Sequence, residues 1–237
     1  MRSNTVTNFY FKNEFALESN HATTVYFQLG KESNRNIIHL EIFDKCIGAH
    51  FFAELRTKKQ LGYIVKSGVK YVHNVMYYYI TVQGTAKFPD EIEEDINEAI
   101  RNAVDVECNG NAFWEIVSAV KEEITVKETN LLERSKVIWK YVERKGTINQ
   151  SELLKELELV KNYNDVVGYM REVFVYGNVR RFGVLNYAGN MDRSEMEKRI
   201  GDVNLKRYSL SPENITKVEY FTDKEGEEFQ VNSTNYV

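Results

Sequence analysis

Apolar residues recur at helical spacing between Asn36 and Leu55. Leu40, Phe43, Ile47, Phe51 and Leu55 form one stripe, and Ile38, Ile42, Cys46 and Ala49 form a second beside it. A stripe that wide predicts a helix buried over much of its circumference. Before it, Thr23, Val25 and Phe27 alternate with Thr24, Tyr26 and Gln28, which predicts a strand over His21–Leu29. Gly30 to Arg35 breaks that strand, with Ser33, Asn34 or Asn36 as helix caps. After the helix, Tyr63–Val72 and Asn74–Gln83 are rich in β-branched and aromatic residues and predict an antiparallel hairpin turning near His73-Asn74.

Pro89 then opens a helix whose first turns carry Asp90, Glu91, Glu93 and Glu94, where carboxylates suit the helix dipole. Ile92, Ile96, Ala99, Ile100, Ala103 and Val104 mark its apolar face. From Ala112 to Lys145 the pattern predicts two helices broken near Thr129-Asn130. Trp114, Val117 and Val120 or Ile124 face inward in the first; Leu131, Val137, Ile138, Trp139 and Val142 do so in the second, which Gly146 stops. Short helices follow over Ser151–Val160 and Asp165–Tyr176, then a strand over Arg180–Tyr187 and a strand-like Ile215–Phe221. Residues 1–20 are polar and irregular apart from Phe9, Tyr10, Phe11 and Phe15, and read as a linker that docks on a domain spanning 21–237, whose tail from 188 is polar. Contiguous strands and contiguous helices predict an α+β fold, a mostly antiparallel sheet with helices packed on one face.

The chain has 237 residues and a net charge of -4, which argues against a general nucleic-acid-binding surface. Two cysteines, Cys46 and Cys108, give no disulfide framework, and both read as structural residues. No apolar run reaches a membrane span and the first residues lack an apolar signal segment, so a cytoplasmic location is expected.

Catalytic constellations are few. The four histidines are His21, His39, His50 and His73. His50 and Glu54 lie one helical turn apart, an ordinary arrangement on a helix surface, and no metal site is predicted. Gly84-Thr85-Ala86-Lys87 lacks phosphate-loop spacing, and the Glu pairs at 93–94, 122–123 and 227–228 read as solvated faces.

What remains is the connection between the long helix and the hairpin. Arg56 suits a helix C-terminus, and Gly62 precedes the strand that Tyr63 enters. Read from residue types alone, Phe51 to Val65 is a helix-to-strand corner with a basic turn. Its order says more: Leu55-Arg56-Thr57-Lys58-Lys59-Gln60-Leu61-Gly62-Tyr63-Ile64-Val65 resembles the LRTKEQLGY-(I/V)-V signature of the insulinase/pitrilysin family of zinc metallopeptidases, departing from it at Lys59, where the family usually has Glu. The resemblance runs over roughly residues 9 to 230, strongest before Val104. Asn20–Gly30 is similar to the family's first strand of this domain, and Trp139 falls where the family often carries a Trp. The aspartate- and arginine-containing segment usual after that Trp is not recognisable at Val142–Gln150.

The resemblance implies the fourth, C-terminal domain of such an enzyme, with the same α+β architecture. It implies a hydrolase of peptides in which Arg56 and Tyr63 act in catalysis and Phe52, Arg56 and Tyr63 contact substrate. A Tyr hydroxyl can donate to the oxyanion on a peptide carbonyl under attack, and an Arg fork can hold substrate carbonyls. The basic residues Arg56, Lys58, Lys59, Lys66 and Lys70 either present positive potential to the chamber or form a solvated turn. Zinc is implied as cofactor of the complete enzyme, held by HxxEH and a distant Glu in an N-terminal half. This chain lacks that motif and is expected to bind no cofactor and to be inactive alone. Expected partners are that N-terminal half or a catalytic subunit, peptide substrates and, optionally, a second copy, with no nucleic acid and no membrane. The alternative is a non-catalytic family-derived subunit that scaffolds a partner or peptide.

Overall fold

The computed structural model describes residues 5–72, 75–106, 110–126, 130–144, 149–174, 180–208, 218–222 and 228–235. Its elements run β1 (Thr5–Lys12), β2 (His21–Lys31), α1 (Asn34–Phe51), a π-helical segment (Phe52–Lys58), β3 (Ile64–Val72), β4 (Val75–Gly84) and α2 (Pro89–Ala103). They continue with α3 (Gly110–Thr125), α4 (Leu131–Arg144), α5 (Gln150–Leu159), α6 (Tyr163–Phe174), β5 (Arg180–Tyr187), α7 (Arg193–Tyr208), β6 (Val218–Thr222) and β7 (Glu228–Asn235). The strands form one sheet in the order β3-β4-β2-β5-β1-β7-β6. Only β1 with β5 is parallel, so the sheet is mostly antiparallel and the fold is α+β, as the sequence predicts.

Alternation sorts the two faces of the sheet. His21, Thr23, Val25, Phe27 and Leu29 of β2 are buried, as are Met76, Tyr78, Ile80 and Val82 of β4, and these pack beneath the helices. The intervening residues are only partly covered. Thr24 and Thr81 hydroxyls meet at 2.9 Å across β2 and β4, and the Tyr26 and Tyr79 rings lie 6.1 Å apart on the same uncovered face. The main core gathers α1, α2, α3, α5 and α6; a smaller one under α7 holds Tyr10, Leu185, Tyr187, Met191, Met196 and Ile200.

The predicted α1 stripe is buried throughout, from Leu40 to Leu55, and Ser33 caps the helix by accepting from the Asn36 N–H at 3.2 Å. In the second stripe Cys46 is half-buried against the core and Ala49 is exposed. Residues 5–12 correct the expectation of irregular chain before residue 21. They form β1, inserted between β5 and β7 and tied to the helical layer by Asn8, whose Nδ2 donates to the buried Glu93 carboxylate at 3.2 Å. Arg181 of β5 pairs with that same carboxylate. Helix α7 lies within a stretch the sequence pattern leaves as polar tail; Met196 and Ile200 anchor it apolarly, while Arg199 forks onto Asp90 at 2.7 and 3.0 Å.

Four expected core residues are outside. Trp114, Leu131, Ile138 and Trp139 are exposed, Leu131 at 84%. In α3 the buried positions are Phe113 and Val120, a rotation of one residue from Trp114. The core beside α1 is already filled by Leu153 and Leu157 of α5 and Val166, Met170 and Phe174 of α6, so α4 is left at the β3 edge. The expectations for Cys108, the His73-Asn74 turn, Gly146 and Ile215, and for the inward side chains of Val137 and Val142, lie outside what the structure describes.

Candidate functional site

Helix α1 does not end at Phe51; it widens. From Phe52 to Lys58 the backbone is π-helical, and the turn is closed by the Lys59 N–H to Glu54 C=O and the Leu61 N–H to Leu55 C=O, each 3.0 Å. Leu55 and Leu61 are fully buried and anchor the segment, while Phe52 and Arg56 point outward. The Arg56 guanidinium sits 4.7 Å from the Phe52 ring centroid, within cation–π range.

The turn into β3 is sterically fixed. Gln60 has a positive φ of 51°, in the left-handed region. A Cβ on Gly62 would lie 1.9 Å from the Gln83 carbonyl oxygen, and one on Gly84 would lie 2.1 Å from the Leu61 carbonyl oxygen. Residues 61–62 therefore lie backbone to backbone against the end of β4, and only glycine fits on either side. Tyr63 emerges from this contact 86% exposed, and among the described residues it makes no hydrogen bond, ion pair or ring contact. The structure thus brings Phe52 and Arg56 together and leaves Tyr63 as a free phenol on the same connection.

Lys59 has a defined role. Its Nζ binds the largely buried Asp95 of α2 at 2.7 Å and also pairs with Glu98; Lys87 binds the other Asp95 oxygen at 2.6 Å. Burial works against the Lys59 charge, but the hydrogen bonds it donates to Asp95 and Glu98 outweigh it and raise its pKa. The turn is therefore pinned to α2 by a chain of alternating charges. The residue types of Lys59, Asp95 and Lys87 carry no spacing signal, so the sequence reveals Lys59 only as a departure from the signature.

Among the described residues no group of three His, Cys, Asp or Glu gathers as a ligand set. Glu54 is engaged by Lys58 at 2.7 Å, a bond that lowers its pKa. His50 is turned partly into the fold, and burial lowers its pKa. His21 accepts the Ala188 N–H at 3.0 Å on Nδ1 and packs beside Phe88 and Tyr187. No helix among the described residues is long and apolar enough to cross a membrane.

The family profile "PQQ synthase PqqF-like, C-terminal lobe domain 4" matches residues 42–139, from the second half of α1 through the turn, the hairpin, α2 and α3 into α4. An insulin-degrading enzyme homolog of Dictyostelium discoideum is 25% identical over 146 residues, covering 59% of this chain and 15% of its own length. The insulin-degrading enzyme of Drosophila melanogaster is 30% identical over 98 residues, 41% of this chain and 10% of its own. The chain thus spans about a tenth to a seventh of these relatives. In fold it is similar to pitrilysin, with a TM-score of 0.65 at 16% identity over 81% of this chain and 20% of that one. Profile, relatives and fold agree with the resemblance carried by the signature: the chain is similar to the C-terminal domain of insulinase/pitrilysin-family proteins.

Proposed function

We propose that this chain forms one wall of the substrate chamber of a zinc-dependent metalloendopeptidase, with the metal and its general base in another part of the longer enzyme. The observation that carries this reading is the pairing of an outward Phe52–Arg56 stack with an outward Tyr63 on one sterically fixed connection. Exposed aromatic and guanidinium groups held on a rigid support are suited to bind a peptide rather than to pack a core. Arg56 offers a planar donor fork to backbone carbonyls of a bound peptide. Phe52 supplies an apolar wall beside it. The Tyr63 hydroxyl donates to the oxyanion that develops on the scissile carbonyl.

Cleavage of a quenched peptide of about 10–20 residues, long enough to reach from the signature turn to a second chamber wall at about 3.3 Å per residue, tests this assignment. The chain is assayed with added zinc, alone and with the coding region that flanks it. Activity only in the longer preparation agrees with a divided site. Peptide binding without cleavage in both preparations moves the chain to the alternative, a non-catalytic module that holds a peptide or partner. Zinc-dependent cleavage by this chain alone overturns both.

A further inference from the structure

On the uncovered face, strands β1–β5 carry basic residues and no acidic ones. The sequence holds 35 Asp and Glu against 31 Lys and Arg, yet no Asp or Glu occupies an uncovered-face position of β1–β5. The carboxylates Asp44 of α1 and Asp90, Glu93 and Asp95 of α2 are all engaged on the helical side of the sheet. On the uncovered face the charged residues of β1–β5 are Lys31 of β2, Lys66 and Lys70 of β3 and Arg180 of β5, all exposed, and among the described residues none has a carboxylate partner.

Strand register puts two of these cations in one row. Lys70 is opposite Tyr77, Tyr77 opposite Gln28, and Gln28 opposite Arg180. The row crosses three inter-strand steps, about 14 Å at about 4.8 Å each. That is about four residues of extended chain at about 3.3 Å per residue. Between the cations lie a Tyr ring and an amide, and Lys70 Nζ stands 6.0 Å from the Tyr26 ring centroid.

We infer that this row seats an extended acidic peptide crossing the strands, with carboxylates four residues apart meeting Lys70 and Arg180. The aromatic surface between them takes the intervening side chains at low entropic cost. Single-stranded nucleic acid also suits basic and aromatic surfaces, but a chain of net charge -4 repels a polyanion over its whole length, whereas two local carboxylates meet only the local field. The inference deepens the chamber reading by naming a substrate class, and it rests on that reading for its biological setting but not for its measurement.

The test is fluorescence polarisation of dye-labelled twelve-residue Ser/Tyr peptides with this chain. One peptide carries two Glu four residues apart, one carries two adjacent Glu, and one carries Lys in place of Glu; a thymidine twelve-mer is the fourth probe. The spaced Glu peptide is expected to bind about tenfold more tightly than the Lys peptide at low salt, and the preference is expected to shrink at 0.5 M salt as the charges are screened. Lys70→Gln and Arg180→Gln, with far-UV circular dichroism to confirm folding, are each expected to remove most of the preference. A chain with Arg56→Ala and Tyr63→Phe is expected to keep it. Equal binding of the Lys peptide, tighter binding of the oligonucleotide, no binding, or indifference to both Gln variants overturns the proposal. Loss of the preference in the Arg56→Ala, Tyr63→Phe chain instead places acidic recognition at the signature, overturning the row while leaving the chamber reading intact.

Discussion

The Arg56 guanidinium lies 4.7 Å over the Phe52 ring, four residues away on a π-helical segment that both side chains leave for solvent. An exposed cation–π contact contributes about 0.5–1 kcal/mol. A double-mutant cycle with Phe52→Ala and Arg56→Ala in urea unfolding is expected to give a coupling of that size. Each single variant is expected to remain fully folded, because Leu55 and Leu61 hold the segment from inside. A coupling near zero would mean that the stack is not maintained in solution.

Gly62→Ala is expected to destabilise the domain by about 1–3 kcal/mol, since the new methyl must displace β4 backbone rather than a flexible side chain. Gln60→Gly, by contrast, is expected to stabilise by up to about 1 kcal/mol because it relieves a left-handed residue. Both follow from denaturant midpoints measured at constant slope.

Lys59→Glu restores the residue usual in the family signature and is expected to be harmful here. It would set a third carboxylate against Asp95 and Glu98, with only Lys87 to offset them. A loss of about 2 kcal/mol is expected from breaking a partly buried pair and adding repulsion. Asp95→Lys in the Lys59→Glu background is expected to recover part of it. Failure of the second change to recover stability while Asp95→Lys alone is neutral would remove the ion-pair account of the turn.

Stability is expected to fall as pH drops below about 6.5, the ordinary His value. Burial first, and then the Arg199 charge, hold the His21 pKa below that value against the opposing fields of Asp90 and Glu91. The folded chain therefore takes up a proton less readily than the unfolded chain. Stability from this group is complete above the unfolded pKa and declines as pH falls toward the folded one. Urea unfolding at pH 7.5 and 5.5 checks this: His21→Asn, which can still accept the Ala188 N–H through its side-chain oxygen, is expected to lose less across that window than the parent chain.

Much of the site's frame was legible in the sequence because it obeys simple periods. The stripe from Leu40 to Leu55 and α2 bury the faces their spacing predicts, and the two strand-like runs pair as the antiparallel β3 and β4. The π-helical widening was not legible, since Phe52 and Arg56 keep the four-residue spacing of an ordinary helix. Gln60 carries no residue-type signal for a left-handed backbone. Strand β1 was hidden by consecutive aromatics at Phe9, Tyr10 and Phe11, of which only Tyr10 turns inward, beside a buried Asn8 that pairs with Glu93. In α3 the neighbours Phe113 and Trp114 compete for one inward position, and the smaller ring takes it.

The central claim is that Tyr63 acts on the reacting carbonyl, and Tyr63→Phe tests it most directly. The substitution removes one hydroxyl from an exposed side chain, so folding and peptide binding are expected to stand unchanged. In the longer preparation, with the quenched peptide as substrate, kcat is expected to fall by about 10²–10³-fold with KM little altered, the loss typical of an oxyanion donor. An unchanged kcat would contradict the account and leave Tyr63 as a surface residue of a binding wall.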